Sequence, residues 1–241
     1  MKAFFRVLSD EECHRVHEES LGILENTGVR VETPIGRNIL RSAGAIVDDT
    51  TKLVKFPRAL VEASMKLITR DFTLSARRPG ADLVFKNGKL KGGESILLPD
   101  GVASTVLDKK TGERRKGTRE DWIAATRLSD VLDEIGMYWR IVEINNRNQE
   151  PGDYVDYLST MFRNFSKHVN DGPSTMIGIP WFLEVIQTIF GTQEEIRTNH
   201  PVSQVICPQS PLMIDKDYTE TCLALKGWNI PVHIMPLPRQ L

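Results

Sequence analysis

Apolar residues recur at helical spacing in the first part of the chain and predict a series of amphipathic helices. Ser9 and Glu12 have the spacing of a capping box, and the apolar face that follows ends near Gly28, a residue suited to helix termination. Thr33 followed by Pro34 predicts the start of a second helix, since proline fits the first helical turn. The first part of the chain is therefore predicted to be largely helical.

The pattern changes between residues 71 and 107, where apolar and polar positions alternate over short stretches separated by turn residues. Alternation with period two is typical of half-buried strands. The pair Asn87-Gly88 predicts a tight hairpin, because both residue types tolerate a positive φ. This part is predicted to form a small antiparallel β region.

The rest of the chain alternates between strand-like and helical segments, beginning with a helix whose capping box is Thr118 and Asp121. The strand-like segments end near residues 107, 142, 170, 207 and 235. Strands separated by helices indicate parallel βαβ units, which form either an open doubly wound sheet or a barrel. The change of pattern predicts two domains, residues 1–100 (helical and antiparallel β) and 101–241 (parallel β/α).

Polar residues follow several of these predicted strands. Ligands gather at the carboxyl ends of parallel strands, and polar side chains there are candidates for binding, although turns favour the same residue types. The candidates at these strand ends are Glu143, Asn145, Asn170, Asp171, Gln209, Ser210 and residues 235–237. Together they indicate which face of the fold binds a ligand, but they do not indicate a reaction.

Three aromatic residues, Tyr138, Trp139 and Trp181, are predicted to lie near that face. Indole rings attract quaternary ammonium groups through cation–π interactions, and they also pack in ordinary cores. An aromatic cage for a cation is therefore one hypothesis for Trp139 and Trp181, and core packing is the other.

Composition narrows the class of protein. The 31 basic and 32 acidic residues give a net charge of -1, which offers no basic field for nucleic acid or an anionic membrane. Three widely separated cysteines, no signal peptide pattern and no long apolar stretch predict a soluble cytoplasmic protein. We expect neither a nucleic acid partner nor membrane insertion.

Common catalytic and metal-binding motifs are missing from the sequence. It contains no CxxC, GxGxxG, phosphate loop, HExxH or GxSxG. His14 and His17 could share a helix face, but a solvated face explains them better than a metal site. His168 and His200 are dispersed, and His233 in a predicted strand suggests a buried, hydrogen-bonded histidine.

Several segments, in order along the chain, resemble the trimethylamine methyltransferase family, whose MttB-like members are corrinoid-dependent. The resemblance covers nearly the whole sequence and rests on LSDEECHRVHEESLGILENTGVRVE, DFTLSAR, VLDKKTGERRKGTREDW, VSQVICPQSPLMID and IPVHIMPLP. It implies a (β/α)8 TIM-type barrel preceded by a helical and β region. It also implies transfer of a methyl group from trimethylamine or a quaternary amine such as a betaine to a corrinoid protein. The cobamide would be carried by that cognate partner and not bound directly by this chain; a homo-oligomer is left open.

Length sets the alternative to a complete enzyme. A TIM barrel takes roughly 250 residues, whereas about 140 follow the predicted boundary, enough for about five strands. We therefore expect an N-terminal fragment of the family fold. The alternatives are a non-catalytic remnant or interaction partner of the same family, and an unrelated barrel protein that binds a small molecule.

Overall fold

A computed structural model describes residues 6–93, 95–99, 101–143, 151–173 and 175–235. The helices are α1 Asp10–Gly22, α2 Pro34–Ser42, α3 Arg58–Lys66, α4 Arg119–Val131, α5 Pro151–Asn164, α6 Ile179–Phe190, α7 Gln193–Asn199 and α8 Lys216–Leu225. The strands are β1 Val29–Val31, β2 Ile46–Asp48, β3 Leu53–Lys55, β4 Phe72–Leu74, β5 Leu83–Lys86, β6 Lys89–Leu90, β7 Thr105–Leu107, β8 Arg114–Lys116, β9 Met137–Tyr138, β10 His168–Asn170, β11 Val202–Ile206, β12 Met213–Ile214 and β13 Val232–Ile234.

The described residues divide into two compact units, whose limits differ from the predicted boundary near residue 100. The first contains residues 6–68 and 208–219, and the second contains residues 69–207 and 220–235. The antiparallel strands between residues 72 and 90 therefore belong to the second unit. The assignment of residues 101–241 to a barrel domain stays a prediction.

The first unit is a small mixed sheet with helices. Its strand order is β12-β1-β3-β2, in which β1 pairs parallel with β12 and antiparallel with β3. Val31, Ala45 and Val54 form its buried apolar core. The predicted capping box is present: the Glu12 amide donates to Ser9 Oγ, and the Glu12 carboxylate accepts from the Ser9 amide. The Thr33 hydroxyl caps α2, as predicted.

Gly28 ends the first helical segment, and its backbone explains why glycine is needed there. Its φ is +81°, and a Cβ at this position would lie 2.6 Å from the Val54 carbonyl oxygen. Both the positive φ and the close approach of β3 disfavour any side chain. The predicted helix stop is therefore also the point where β1 meets β3.

We expect Gly28→Ala to lower the free energy of unfolding by about 2 kcal/mol, because left-handed strain and the clash with Val54 act together. Gly44→Ala is the matched control, since Gly44 has a φ of +102° and open space where a Cβ would lie. That variant should lose only the strain contribution, about 1 kcal/mol. Urea unfolding followed by far-ultraviolet circular dichroism checks both; equal losses would show that the close approach costs nothing.

The second unit contains a parallel sheet of strand order β13-β11-β10-β9, which confirms the predicted βαβ pattern over the last four segments. Helices α4, α5 and α6 contribute Trp122, Phe162, Phe182 and other side chains to a core that covers one face of this sheet. The fold is mixed α/β, as expected. The described strands do not close into a barrel, and closure stays a prediction.

The segment ending at Leu107 is predicted to be the first parallel strand, and this prediction is wrong. Thr105–Leu107 pairs antiparallel with Arg114–Lys116 in a two-stranded hairpin. The cause is local: the Asp108 side chain accepts hydrogen bonds from the amides of Lys110 and Thr111, which stabilises a tight turn. The residues on either side of β9 instead form isolated parallel bridges: Ile135 pairs with Leu97, and Val142 pairs with Ala103.

The remaining antiparallel region matches its prediction. Strands β4, β5 and β6 form a three-stranded sheet, and β5 and β6 are joined by Asn87 and Gly88 with φ values of 51° and 73°. Thr118 and Asp121 form the expected capping box of α4.

Within the described residues, no helix is long and apolar enough to cross a membrane.

Candidate functional site

Five side chains share one face of the parallel sheet: Trp139, His168, Asn170, Ser203 and His233. Side chains alternate between faces along a strand, and the register pairs Asn170 with Ser203 and Val205 with His233. Trp139 directly follows β9, two residues beyond Met137, which pairs with His168. We call these five residues the polar face.

Hydrogen bonds connect four members of the polar face. His168 Nδ1 lies 3.1 Å from the Ser75 carbonyl oxygen, and His168 Nε2 lies 2.9 Å from Ser203 Oγ. As placed in the structure, Asn170 Oδ1 lies 2.8 Å from Ser203 Oγ and accepts its proton, and Asn170 Nδ2 lies 3.1 Å from His233 Nδ1. His168, Ser203, Asn170 and His233 thus form one continuous series of hydrogen-bonding groups across β10, β11 and β13.

This series of hydrogen bonds extends from the protein interior to an accessible surface. His168 and Asn170 are both 0% exposed, whereas His233 is exposed. Burial lowers the pKa of His168 to about 4, a larger effect than the opposing hydrogen bond to Ser75. His168 is therefore neutral at physiological pH, and the open end of the polar face is at His233.

An aromatic ring lies beside that open end. The ring centroids of Trp139 and His233 are 6.5 Å apart at an interplanar angle of 72°, an edge arrangement. Trp139 is half-buried. An indole, an imidazole and the adjacent amide of Asn170 provide both a π surface and polar atoms for a small cation.

The opposite face of the sheet carries Tyr138 and Asp171, because each is one residue out of phase with the polar face. The Trp122 indole donates to the Tyr138 hydroxyl at 2.8 Å, and the Tyr157 hydroxyl donates to Asp171. Burial, followed by the negative charge of Asp171, raises the pKa of Tyr138 to about 12. These groups form a buried support behind the strand ends.

Aromatic stacking and a cation complete this support. Trp122 and Tyr157 stack with centroids 5.0 Å apart, and the Arg140 guanidinium lies 5.3 Å from the Tyr157 ring centroid. Burial lowers the pKa of Arg140, but Asp171 and the two tyrosines outweigh this effect, so its pKa is raised. Arg140 therefore stays charged and balances Asp171.

The structure does not bring the three predicted aromatics to one face. Tyr138 faces the helices, as described above. Trp181 lines a groove of about 430 Å³ between α5 and α6, together with Val155, Ser159 and Thr188. A cage that combines Trp139 with Trp181 is therefore not formed by the described residues; the role of each residue alone stays a prediction.

The other predicted site residues are placed as follows. Glu143 is exposed, and its amide donates to the Ala103 carbonyl at 2.9 Å. Asn145 and residues 236–237 lie outside the described residues. Gln209 and Ser210 belong to the first compact unit, where the Gln209 amide donates to Asp215 at 2.9 Å. Asn170 and Trp139 are the predicted residues that share the polar face.

Three polar-face residues, His168, Ser203 and His233, have roles that are not predicted from the sequence. His233 is expected to be buried and hydrogen-bonded; it is hydrogen-bonded to Asn170 but exposed, and β13 is an outer strand of the sheet that the described residues form. His168 and Ser203 are not among the predicted site residues. Period-two alternation gives one signal for His168, since it precedes Asn170 by two residues on a predicted strand.

A metal site is not evident. Within the described ranges, no group of three or more histidine, cysteine, aspartate or glutamate side chains is arranged to hold a metal ion. His14 and His17 lie exposed on α1.

The fold and the site define an α/β protein with a group of polar and aromatic side chains on one face of a parallel sheet. Residues 2–238 match the trimethylamine methyltransferase (MTTB) family, and the chain belongs to it. It is 31% identical over 229 residues to trimethylamine methyltransferase MttB of Desulfitobacterium hafniense, covering 95% of this chain and 45% of the relative. It is 29% identical over 212 residues to a glycine betaine methyltransferase of Desulfitobacterium hafniense, covering 88% and 43%.

A further relative is more distant. Trimethylamine methyltransferase MttB of Methanosarcina thermophila is 23% identical over 234 residues, which are 96% of this chain and 48% of that protein. The chain thus spans a little under half the length of these curated relatives. The match confirms the family resemblance seen in the sequence.

Proposed function

We propose that this chain binds a small methylated amine on the polar face and takes part in transfer of its methyl group to a corrinoid protein. Family membership supports the reaction class, and the relatives' names include both trimethylamine and glycine betaine as substrates. The observation that carries the proposal is the grouping of Trp139, Asn170 and His233 at the strand ends of a family member.

The chemistry asks for positioning more than for acid–base catalysis. In a methylated ammonium, the electron pair of the breaking C–N bond stays on nitrogen, so a neutral amine leaves without a proton donor. The methyl group has to point toward the incoming nucleophile, which makes orientation and exclusion of water the protein's main contributions. Trp139 offers its π surface to the cation, and Asn170 and His233 offer polar atoms to orient it.

The acceptor of the methyl group would be the cobalt of a corrinoid carried by a separate protein. When bound, that group supplies the nucleophile. Because the acceptor is on a separate protein, the proposal requires that the site of this chain be accessible. The exposure of His233 at the open end of the polar face fits this requirement.

The direct test is to incubate the purified chain with a reduced corrinoid protein and one amine at a time. Trimethylamine and glycine betaine are the test substrates, and ammonium and glycine are the matched unmethylated controls. Cobalt methylation, followed by absorbance, with the methylated compounds alone would support the proposal. No methylation with any compound would contradict activity of this chain by itself and favour the non-catalytic alternative.

We expect Trp139→Ala to raise the substrate KM about tenfold, because a partly desolvated cation–π contact contributes roughly 1–2 kcal/mol. Trp181→Ala is the matched control: it removes the same side chain from the groove between α5 and α6. The variants are compared in the cobalt methylation assay. A KM that rises equally in both variants, or only in Trp181→Ala, would place the cation elsewhere.

A further inference from the structure

The hydrogen-bond chain of the polar face has a direction that can be worked out from its buried end. The Ser75 carbonyl oxygen can only accept, so the contact at 3.1 Å requires a proton on His168 Nδ1. His168 is completely buried, and burial disfavours its doubly protonated form. His168 is then a neutral imidazole whose Nε2 carries a lone pair.

That lone pair fixes the hydroxyl of Ser203. His168 Nε2 and Ser203 Oγ are 2.9 Å apart, so the only hydroxyl proton of Ser203 is donated to His168. The Ser203 oxygen then has acceptor capacity alone for its second neighbour, the Asn170 amide at 2.8 Å. Donation to Ser203 requires that the amide nitrogen of Asn170 face it.

The orientation of Asn170 in turn fixes His233. An asparagine amide has the same shape in two orientations, and its hydrogen-bond partners decide between them. The structure places Nδ2 on the His233 side; exchanging the two amide atoms keeps every distance, turns the nitrogen toward Ser203 and puts the oxygen 3.1 Å from His233 Nδ1. A neutral His233 must then carry its proton on Nδ1, which leaves a lone pair on Nε2.

We propose that Ser203 and His168 are positioning residues: anchored by the Ser75 carbonyl, they orient the Asn170 amide and thereby hold His233 as a hydrogen-bond acceptor. His233 Nε2 makes no hydrogen bond to any residue that the structure describes, and its side chain is exposed beside Trp139. The lone pair is available to a ligand with a hydrogen-bond donor, such as the N–H of protonated trimethylamine, or to the positive charge of a quaternary ammonium, which has no N–H. That this ligand is the methylated amine rests on the proposed function; the proton pattern does not.

The opposite pattern is the one in which the Asn170 amide is placed in the structure, and it has a defined cost. If the Asn170 nitrogen faced His233, the amide oxygen would require the Ser203 proton. His168 Nε2 would then have to donate to Ser203 while Nδ1 still donates to Ser75, which requires a cationic imidazole with no exposed surface. The geometry therefore favours the direction that ends in an acceptor at His233.

The test is nitrogen-15 NMR of the chain with labelled histidine, at about pH 8, where ordinary imidazoles are neutral. Signals of the five histidines are assigned by single His→Gln variants. We expect His233 to be mostly the Nδ1–H tautomer, although neutral histidine in water prefers the Nε2–H tautomer. A His233 that is mostly Nε2–H in the wild-type chain overturns the proposal, and this result needs no variant.

Variants separate positioning from simple packing. Ser203→Ala removes the link and should return His233 to a majority of the Nε2–H tautomer, whereas Ser203→Thr keeps a hydroxyl and should retain Nδ1–H. Ser129→Ala is the matched control, since Ser129 is also buried but donates to the Ala125 carbonyl within α4. An unchanged His233 spectrum in a folded Ser203→Ala chain would contradict the role of Ser203.

The outcomes also separate this inference from the proposed function. An Nδ1–H tautomer without cobalt methylation would leave the positioning role standing and contradict the reaction. Cobalt methylation with an Nε2–H tautomer would support the reaction and overturn the positioning role.

Discussion

Replacing Trp122 with alanine is expected to lower the free energy of unfolding by about 3–5 kcal/mol. Trp122 is 1% exposed, stacks on Tyr157 and donates to the Tyr138 hydroxyl, so its loss leaves a cavity and removes the 2.8 Å donor of that buried hydroxyl, which keeps only its 3.4 Å contact with the Tyr157 hydroxyl. Urea unfolding followed by the fluorescence of the remaining tryptophans measures the change.

Two further variants interpret that loss. Trp122→Phe keeps a stacking ring and removes the indole donor, and should cost about 1–3 kcal/mol. Trp181→Ala removes a half-buried indole from the groove between α5 and α6 and should cost less than Trp122→Ala. A Trp122→Ala loss no larger than that of Trp181→Ala would contradict the role of Trp122 as support for the strand ends.

This support links stability to the candidate site. Tyr138 precedes Trp139, and Asp171 follows Asn170, so at the ends of β9 and β10 a residue of the buried support is the sequence neighbour of a residue of the polar face. Adjacent residues on a strand share a backbone. The contacts that hold Tyr138 and Asp171 in place therefore also hold the backbone from which the Trp139 and Asn170 side chains project. Asp171, which is predicted to bind substrate, therefore has an alternative role: it accepts a hydrogen bond from Tyr157 in the buried support.

Local features of the fold are predictable because their causes are local. The capping boxes at Ser9 and Thr118 and the turn at Asn87-Gly88 depend on neighbouring residues alone. The strand at Thr105–Leu107 is predicted in the wrong sheet because alternation defines a strand without defining its partner. Its nearest partner in sequence follows a short turn, and closing such a loop costs little entropy.

The candidate site is predictable only in part for the same reason. The rule that ligands gather at strand ends selects Asn170 and Trp139, but one-residue shifts place Asp171 and Tyr138 on the other face. Trp181 is a candidate through its residue type, which gives no position in space. The contact between Asn170 and His233 joins residues 63 positions apart, and no local pattern encodes it.

Acid should destabilise the second unit through His168. The pKa of His168 is about 4 in the folded chain, mainly because of burial, against an ordinary value of 6.5. Between these values the unfolded chain binds a proton that the folded chain does not, so stability falls as pH decreases from 6.5 toward 4 and is unaffected above this window. The slope should reach about 1.4 kcal/mol per pH unit, or roughly 3 kcal/mol across the window.

His168→Gln should abolish this slope, whatever its stability at neutral pH, because glutamine does not titrate. His14→Gln is the control, since it removes an exposed histidine on α1 and leaves His168 in place. Carboxylates held by arginines, such as Asp49 and Asp156, have pKa values lowered from 3.8 by those hydrogen bonds and titrate below the window. Urea unfolding at several pH values between 4 and 7 measures the slopes; a slope that persists in His168→Gln would assign the acid sensitivity to another group.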